Sequence, residues 1–420
     1  MTGLQPSVAD GATSRLRILA GAPFVPWPTT TYSNQVVHAK LAAMARRHDV
    51  VFVCGVATEA DRANLEALAA ATGVTVRGVT APNSRGQAAR VWSHASSVAQ
   101  GIAAGLPHRT FKAGNTPLRR ELGRMAASGA FDIVHIDYWY VGRGWIESCP
   151  IPSVCYVHDL MFERVARSEA LAGEQATRRL ERTLFFRGLR HTELATLAGF
   201  DALAAISPRE ASVLAALLPG ERVASLPAGV DLAKLGELGA AEESLGVLFV
   251  GALASGPNED GAWAFARHVW PHVVAREPAA RLYIVGSGPS ARLRALHGHD
   301  GVTVTGDVPD VRAWYERCAV VVSPLRWGSG MKGKVLEAMA LRRPLVATAV
   351  SMEGIAARVG EHYLEAETPQ DFVEALCRLF RRPEEGTQVA TAARRLVEER
   401  YDVASCMQSF LTFVEEIADG

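Results

Sequence analysis

Ser323–Thr348, SPLRWGSGMKGKVLEAMALRRPLVAT, is the stretch on which the reading of the fold turns. The apolar strand VVVSPL ends just past Pro324, a turn with Gly328, Ser329 and Gly330 follows, and KVLEAMAL is then a run of strong helix formers. In such a strand–loop–helix unit, glycines let backbone approach a ligand closely, and the free N–H groups of the helix start favour an anion. Lys332 and Lys334 stand at that start, where the helix dipole alone would prefer acids. Two cations there fit a bound diphosphate. Glu337 lies one turn further in, placed to accept hydrogen bonds from a pair of ribose hydroxyls. A glycine loop alone is an ordinary turn; loop, lysines and acid together point to a nucleotide.

The same alternation of apolar runs and helical patterns extends both ways. Strands are expected at Arg17–Ala22, Val50–Cys54, Val74–Val79, Ile133–Ile136, Val154–Val157 and Ala202–Ile206, and again at Val247–Val250, Leu282–Val285, Val302–Thr305, Val320–Ser323 and Leu345–Thr348. Continuous apolar strands with helices between them mark parallel sheets covered on both faces. Two such series give an α/β protein with two doubly wound, Rossmann-like domains, in keeping with 420 residues. The expected domains are 15–225 and 245–400, with the boundary between Ser225 and Ser244 in a Pro- and Gly-bearing stretch. Residues 1–14 read as a disordered tail without the apolar core of a signal peptide. Helices are expected at Glu385–Glu399 and Val403–Ile417, and residues 402–420 are expected to return to the first domain.

Composition narrows the function. Lys plus Arg equals Asp plus Glu at 44 each, so no global basic surplus points to nucleic acid. The six cysteines form no C-x-x-C pair and mostly lie in apolar runs, so they read as buried thiols in the cytoplasm, not as zinc ligands or disulfides. No apolar run approaches the ~20 residues that span a bilayer. One stretch competes with the first reading. Gly286, Gly288 and Ala291 match G-x-G-x-x-A after a strand, with Asp307 about twenty residues on, as in dinucleotide-binding enzymes. That fingerprint belongs in the first βα unit, whereas here a full unit, Val247 to Glu277, precedes it. In the first half, Thr29, Thr30, Thr31, Ser33 and Asn34 follow the first strand and either bind a phosphate or polyol or cap the helix starting near Asn34. Asp137 and Tyr138 end one strand and His158 the next, at the rim where ligands bind in open sheets. Asp137, Tyr138, Thr30 and Thr31 are the acceptor-side candidates, and His135 reads as structural.

FVGAL, PNEDG, RLYIVGSGP, VTVTGDVPDVRAWYERCAVVVSPL, GSGMKGKVLEAMA and RPLVATAVSMEGI stand in the order and spacing of glycosyltransferase family four. The chain resembles these retaining enzymes of the GT-B fold along nearly its whole length, most strongly from Leu248 to Ile355. The resemblance implies two facing Rossmann-like domains, a donor nucleotide sugar on the second, an acceptor on the first, and neither metal nor cofactor. It places Glu337 at the ribose and His158 beside the reacting carbon of the donor sugar. Gly251, Gly286, Gly288, Asp307 and Val308 fall near the nucleotide, and the backbone of Gly328, Ser329, Gly330 and Met331 near the diphosphate. Two departures stand out. The first glutamate of the family's pair falls at Ser329, and the Arg and Lys expected after FVGAL are replaced by ASGPNEDG. Lys334, with Lys332 as partner, is the natural substitute for those cations. Arg178–Leu197 is basic and amphipathic, as in relatives that rest on membranes, but Glu174, Glu181 and Glu193 dilute the charge and favour a helix packed on the core.

The expected reaction moves a sugar from a nucleoside diphosphate to a small-molecule or glycan acceptor by front-face displacement, with His158, Lys334 and Lys332 at the reacting centre. A sugar-nucleotide epimerase of the same fold and a non-catalytic nucleotide-sugar-binding subunit stay open, as do base, sugar, acceptor and oligomeric state.

Overall fold

The computed structural model describes residues 15–80, 116–171 and 188–420. The first sheet contains β1 (Arg17–Ala22), β2 (Asp49–Val56), β3 (Thr75–Thr80), β4 (Ile133–Asp137), β5 (Ser153–Val157), β6 (Ala202–Ala205) and β7 (Arg222–Ser225). The second contains β8 (Glu243–Val250), β9 (Arg281–Val285), β10 (Val302–Val304), β11 (Cys318–Ser323), β12 (Leu345–Ala347) and β13 (Leu364–Glu365). All their pairings are parallel, in the orders β3-β2-β1-β4-β5-β6-β7 and β10-β9-β8-β11-β12-β13. The expected α/β class and two Rossmann-like sheets are what the chain forms.

The central strands are apolar on both faces because helices cover both: Ile18, Leu19, Val134, Val247, Leu248 and Val346 are fully buried. In each sheet the order reverses beside the first strand, between β1 and β4 and between β8 and β11. Ligands of open α/β sheets bind in the crevice outside the strand ends at such a reversal. The glycine loop after β11 therefore stands at the switch point of its sheet. Gly286, after β9, stands one strand away from it.

Helix starts follow local chemistry. Thr58 and Asp61 form a reciprocal capping box on Glu59–Thr72, and Thr31 accepts from the Asn34 amide at the head of Tyr32–Arg47. The last two helices tie the halves together. Pro383–Arg400 packs on Gly333–Ala340, and Val403–Ala418 packs on Tyr32–Arg47 in the first domain. The two chain crossings meet edge to edge, with Val230 N–H donating to Tyr401 O at 2.8 Å and Val403 N–H to Val230 O at 3.0 Å.

Some boundaries moved. Strands β7 and β13 were not anticipated, being too short to show a periodic signal. The strand expected from Val247 begins at Glu243, and the helix expected near Asn34 begins at Tyr32. Residues 1–14 and the first ten residues of Arg178–Leu197 lie outside the described residues. Among the described residues no helix is long and apolar enough to cross a membrane, and the six cysteines are unpaired.

Gly229 stands at the crossing with φ +72°, and a Cβ there would lie 2.7 Å from Tyr401 O. Gly73 has φ +76° but open space around it. Gly73→Ala is expected to cost about 1 kcal/mol, the left-handed penalty alone. Gly229→Ala should cost roughly 1–3 kcal/mol more for the overlap. Thermal unfolding of the two variants checks the difference.

Candidate active site

The loop after β11 is shaped by the other domain as much as by any ligand. A Cβ on Gly330, φ +70°, would lie 2.5 Å from the His158 carbonyl oxygen. One on Gly333 would lie 2.3 Å from the Tyr32 ring. These two glycines let the domains meet backbone to backbone and backbone to ring. The helix Gly333–Ala340 begins there with no side-chain cap on its first amides. An uncapped helix start in a cleft is a ready anion site.

Both lysines are close by, Lys332 buried and Lys334 half-buried. Lys332 is buried and donates to Gly330 O at 2.7 Å. Lys334 donates to Asn258 Oδ1 at 2.7 Å and lies 4.3 Å from the centre of the Phe249 ring. Burial pushes Lys332 down to about 8, against the pull of Glu353 and Glu210. Burial, with Lys332 beside it, pushes Lys334 down to about 7. Glu337 faces the first domain; burial raises its pKa while Gln35 and Lys234 oppose the rise. These are charges short of partners, and a diphosphate would supply one.

Across the cleft, β4 and β5 deliver a buried charge cluster. Asp137 is paired with the fully buried Lys40 and accepts from His158 Nε2 at 2.7 Å and His135 Nε2 at 3.2 Å. Lys40 Nζ also lies 3.3 Å from the centre of the Tyr156 ring. Burial alone would raise the Asp137 pKa, but Lys40, His135 and His158 hold it well below the usual carboxylate range. Asp137, expected on the acceptor side, is buried with its carboxylate taken up by these three. Burial lowers the pKa of His158, with Lys40 adding to it and Asp137 opposing. A neutral imidazole that donates from Nε2 keeps a lone pair at Nδ1. Tyr138 stacks on that ring at 4.2 Å and 5°, and its backbone has φ +71°. Such a conformation costs about 1–3 kcal/mol in a tyrosine and marks a constrained site.

Between the halves lies a cavity of about 240 Å³, lined by Tyr32, Ser33, Tyr138, Tyr140, His158, Asp159 and Arg164 from one side and Ser329, Gly330 and Met331 from the other. Ser329 Oγ donates to Asp159 Oδ2 at 3.2 Å, so a carboxylate from the first domain stands beside the serine. Arg167 clasps the loop from outside, donating to Gly328 O at 2.9 Å and Glu353 at 2.6 Å.

The structure thus brings together His158, Tyr138, Ser329, Gly330 and Met331 at the cleft, with Lys332, Lys334 and Glu337 on the helix that borders it. Thr31 is occupied as a helix cap, and Thr30 is exposed beside it. Gly251 and Gly286 pack backbone to backbone: a Cβ on Gly286 would lie 1.8 Å from Gly251 O. Gly288 packs on Ala254 in the same way, Asp307 is exposed and Val308 half-buried. Lys40, Asn258, Tyr32 and Arg167 were missed. Only Lys40 left a signal, a lysine on the apolar face formed by Val36, Val37, Leu41 and Met44.

Removing one member of a buried ion pair leaves an uncompensated charge. Lys40→Met and Asp137→Asn are each expected to cost about 3–5 kcal/mol of stability. The double variant should lose much less than the sum, as a denaturation double-mutant cycle would show.

Known proteins share this plan. The family model for Glycosyltransferase Family 4 matches residues 33–234, and that for Glycosyl transferases group 1 matches residues 244–382. An uncharacterized 44.6 kDa protein from the cps region of Klebsiella pneumoniae is 28% identical over 165 residues, covering 37% of this chain and 42% of that protein. Sucrose-phosphate synthase of Thermosynechococcus elongatus superposes with a TM-score of 0.69 at 18% identity, over 96% of this chain and 99% of that one. Anabaena HepE, solved with UDP-glucose, superposes with a TM-score of 0.66 at 13% identity, over 96% of this chain and 100% of that one. At such identities the structures establish a common fold, and the family matches run through both halves in order. The chain belongs to the group 1 glycosyl transferases and has their two-domain GT-B fold.

Proposed function

We propose that the protein transfers a glycosyl group from a nucleoside-diphosphate sugar to a hydroxyl-bearing acceptor, with retention and without a metal ion. The observation that carries this reading is the uncapped start of Gly333–Ala340, flanked by Lys332 and Lys334 and following directly on Ser329–Met331, which line the cleft with His158. HepE, of the same fold, was solved with UDP-glucose. The diphosphate would lie on the helix start, with Glu337 toward the ribose and the sugar beside His158 and Tyr138. Asp159 supplies there the carboxylate that Ser329 lacks.

Chemistry follows from positioning. Lys334 leaves Asn258 for the diphosphate and, with Lys332 and the backbone amides, stabilises charge on the departing phosphate. Lys332 and Lys334, next to the bound diphosphate, supply the positive charge a divalent cation would otherwise bring. Among the described residues that line the cleft the one carboxylate is Asp159, held by Ser329 and Arg164, which favours attack from the departing side, the leaving phosphate taking the acceptor's proton. His158 Nδ1 offers a lone pair to a sugar hydroxyl. The six unpaired cysteines suit a reducing compartment, and we place the reaction in the cytoplasm.

Incubation with UDP-, GDP-, TDP- and ADP-sugars, with and without acceptors, tests the reading: slow donor breakdown is expected with one of them, and none with any would contradict it. Lys334→Ala should lower kcat by about 10²–10³; an unchanged kcat would remove Lys334 from the mechanism. The pH dependence has a definite sign. Lys332 and Lys334 sit at about 8 and about 7 in the free protein, and a diphosphate raises both. Nucleotide binding therefore takes up protons, is tightest below that range and weakens as pH rises through it. Calorimetry in buffers of different ionisation enthalpy measures the uptake, which Lys334→Ala should reduce.

A further inference from the structure

We propose that a second cavity, lined by Arg119, Arg120, Arg124, Arg143 and Trp145, binds the phosphate group of a ligand other than the donor. It measures about 410 Å³ and shares no lining residue with the central cleft. The proposal goes beyond the transferase reading and does not rest on it.

The charge balance carries the argument. Arg124 is matched by Glu121, at 2.7 Å, which Arg77 also holds at 2.8 Å. Glu147 is the acid that acts on Arg143. Arg119 and Arg120 form no ion pair among the described residues. Among the described residues Arg119 is held by neutral groups, donating to Thr116 Oγ1 at 3.1 Å and Arg143 O at 3.3 Å, and its Nε is buried without a hydrogen-bond partner there. Burial lowers the pKa of Arg119, and Arg143 and Arg120 lower it further. A guanidinium fixed in this way, among others of its sign, is an uncompensated charge that a ligand anion relieves.

Several guanidinium forks around one cavity match a group with two charges and several acceptor oxygens better than a single carboxylate. The cavity exceeds one phosphate, so the ligand is an organic phosphate. Trp145 gives it a fixed wall, its Nε1 donating to Val141 O at 2.8 Å and its Cβ placed 3.1 Å from where a Cβ on Gly123 would stand.

The test titrates inorganic phosphate into the full chain by calorimetry, using wild type, Lys334→Ala, the double variant Arg119→Gln/Arg143→Gln, and Arg120→Glu. Saturable binding should survive Lys334→Ala and weaken at least about tenfold in the arginine variants. UDP affinity should stay within about twofold in those variants, which separates this site from the donor site. Should the double variant misfold by circular dichroism, Arg120→Glu, at an exposed position, carries the test alone. Sedimentation with phosphatidylglycerol and phosphatidylcholine vesicles identifies the source. Binding to the former only, lost in Arg120→Glu, makes the ligand a lipid headgroup; phosphate binding without vesicle binding makes it a soluble phosphate ester. Phosphate binding abolished by Lys334→Ala yet untouched by the arginine changes overturns the proposal, as does equal, non-saturating heat in all four proteins.

Discussion

The carbonyl oxygen of His158 and the backbone of Gly330 approach so closely that no side chain could stand between them, and most of the site depends on that approach. It joins the end of β5 in one sheet to the loop after β11 in the other. Each partner is fixed from behind. His158 is held by Asp137, which Lys40 and His135 hold in turn. Gly330 is held by Lys332 through its carbonyl. The cleft is therefore a small space between two stiff supports, and both supports are built from buried charge.

Buried charge on this scale is costly, and it is rarely retained for stability alone. Asp137 could be replaced, with Lys40, by apolar groups of the same volume if stability were all that mattered. The cluster instead fixes which nitrogen of His158 faces the cleft, while burial lowers the pKa of that ring. The two lysines of the helix start show the complementary state: cations drawn out of water, fully for Lys332 and partly for Lys334, and held by Gly330 O and Asn258. On the proposed reading an anion bound there draws Lys334 away from Asn258.

The fold was legible because its signals are periodic and redundant. Apolar strands alternating with helices, and a Pro- and Gly-bearing stretch midway, announce two doubly wound sheets. Gly328 to Glu337 could be placed at a strand end and so at a ligand rim. What could not be read were the pairings made only across the fold. Gly330 looks like a ligand-facing glycine in sequence, yet its immediate neighbour is His158 of the other domain, as Tyr32 is for Gly333. Asp137, at a strand end, looks like a group that touches substrate, and burial turns it into one that acts through His158. Asn258 sits in the first turn of the helix Gly256–His268, a stretch read only for the cations it lacks, although it holds Lys334. Short edge strands such as Arg222–Ser225 and Leu364–Glu365 carry too few residues for a period to show.

The central claim is that a nucleoside diphosphate binds on the first amides of Gly333–Ala340, and backbone resonances test it most directly. On titration with UDP, the amide signals of Gly333 and Lys334 should shift saturably and more than those of Gly286 and Gly288, the loop that resembles a dinucleotide fingerprint. Saturable UDP binding that moves Gly286 and Gly288 while leaving Gly333 and Lys334 in place would contradict the account.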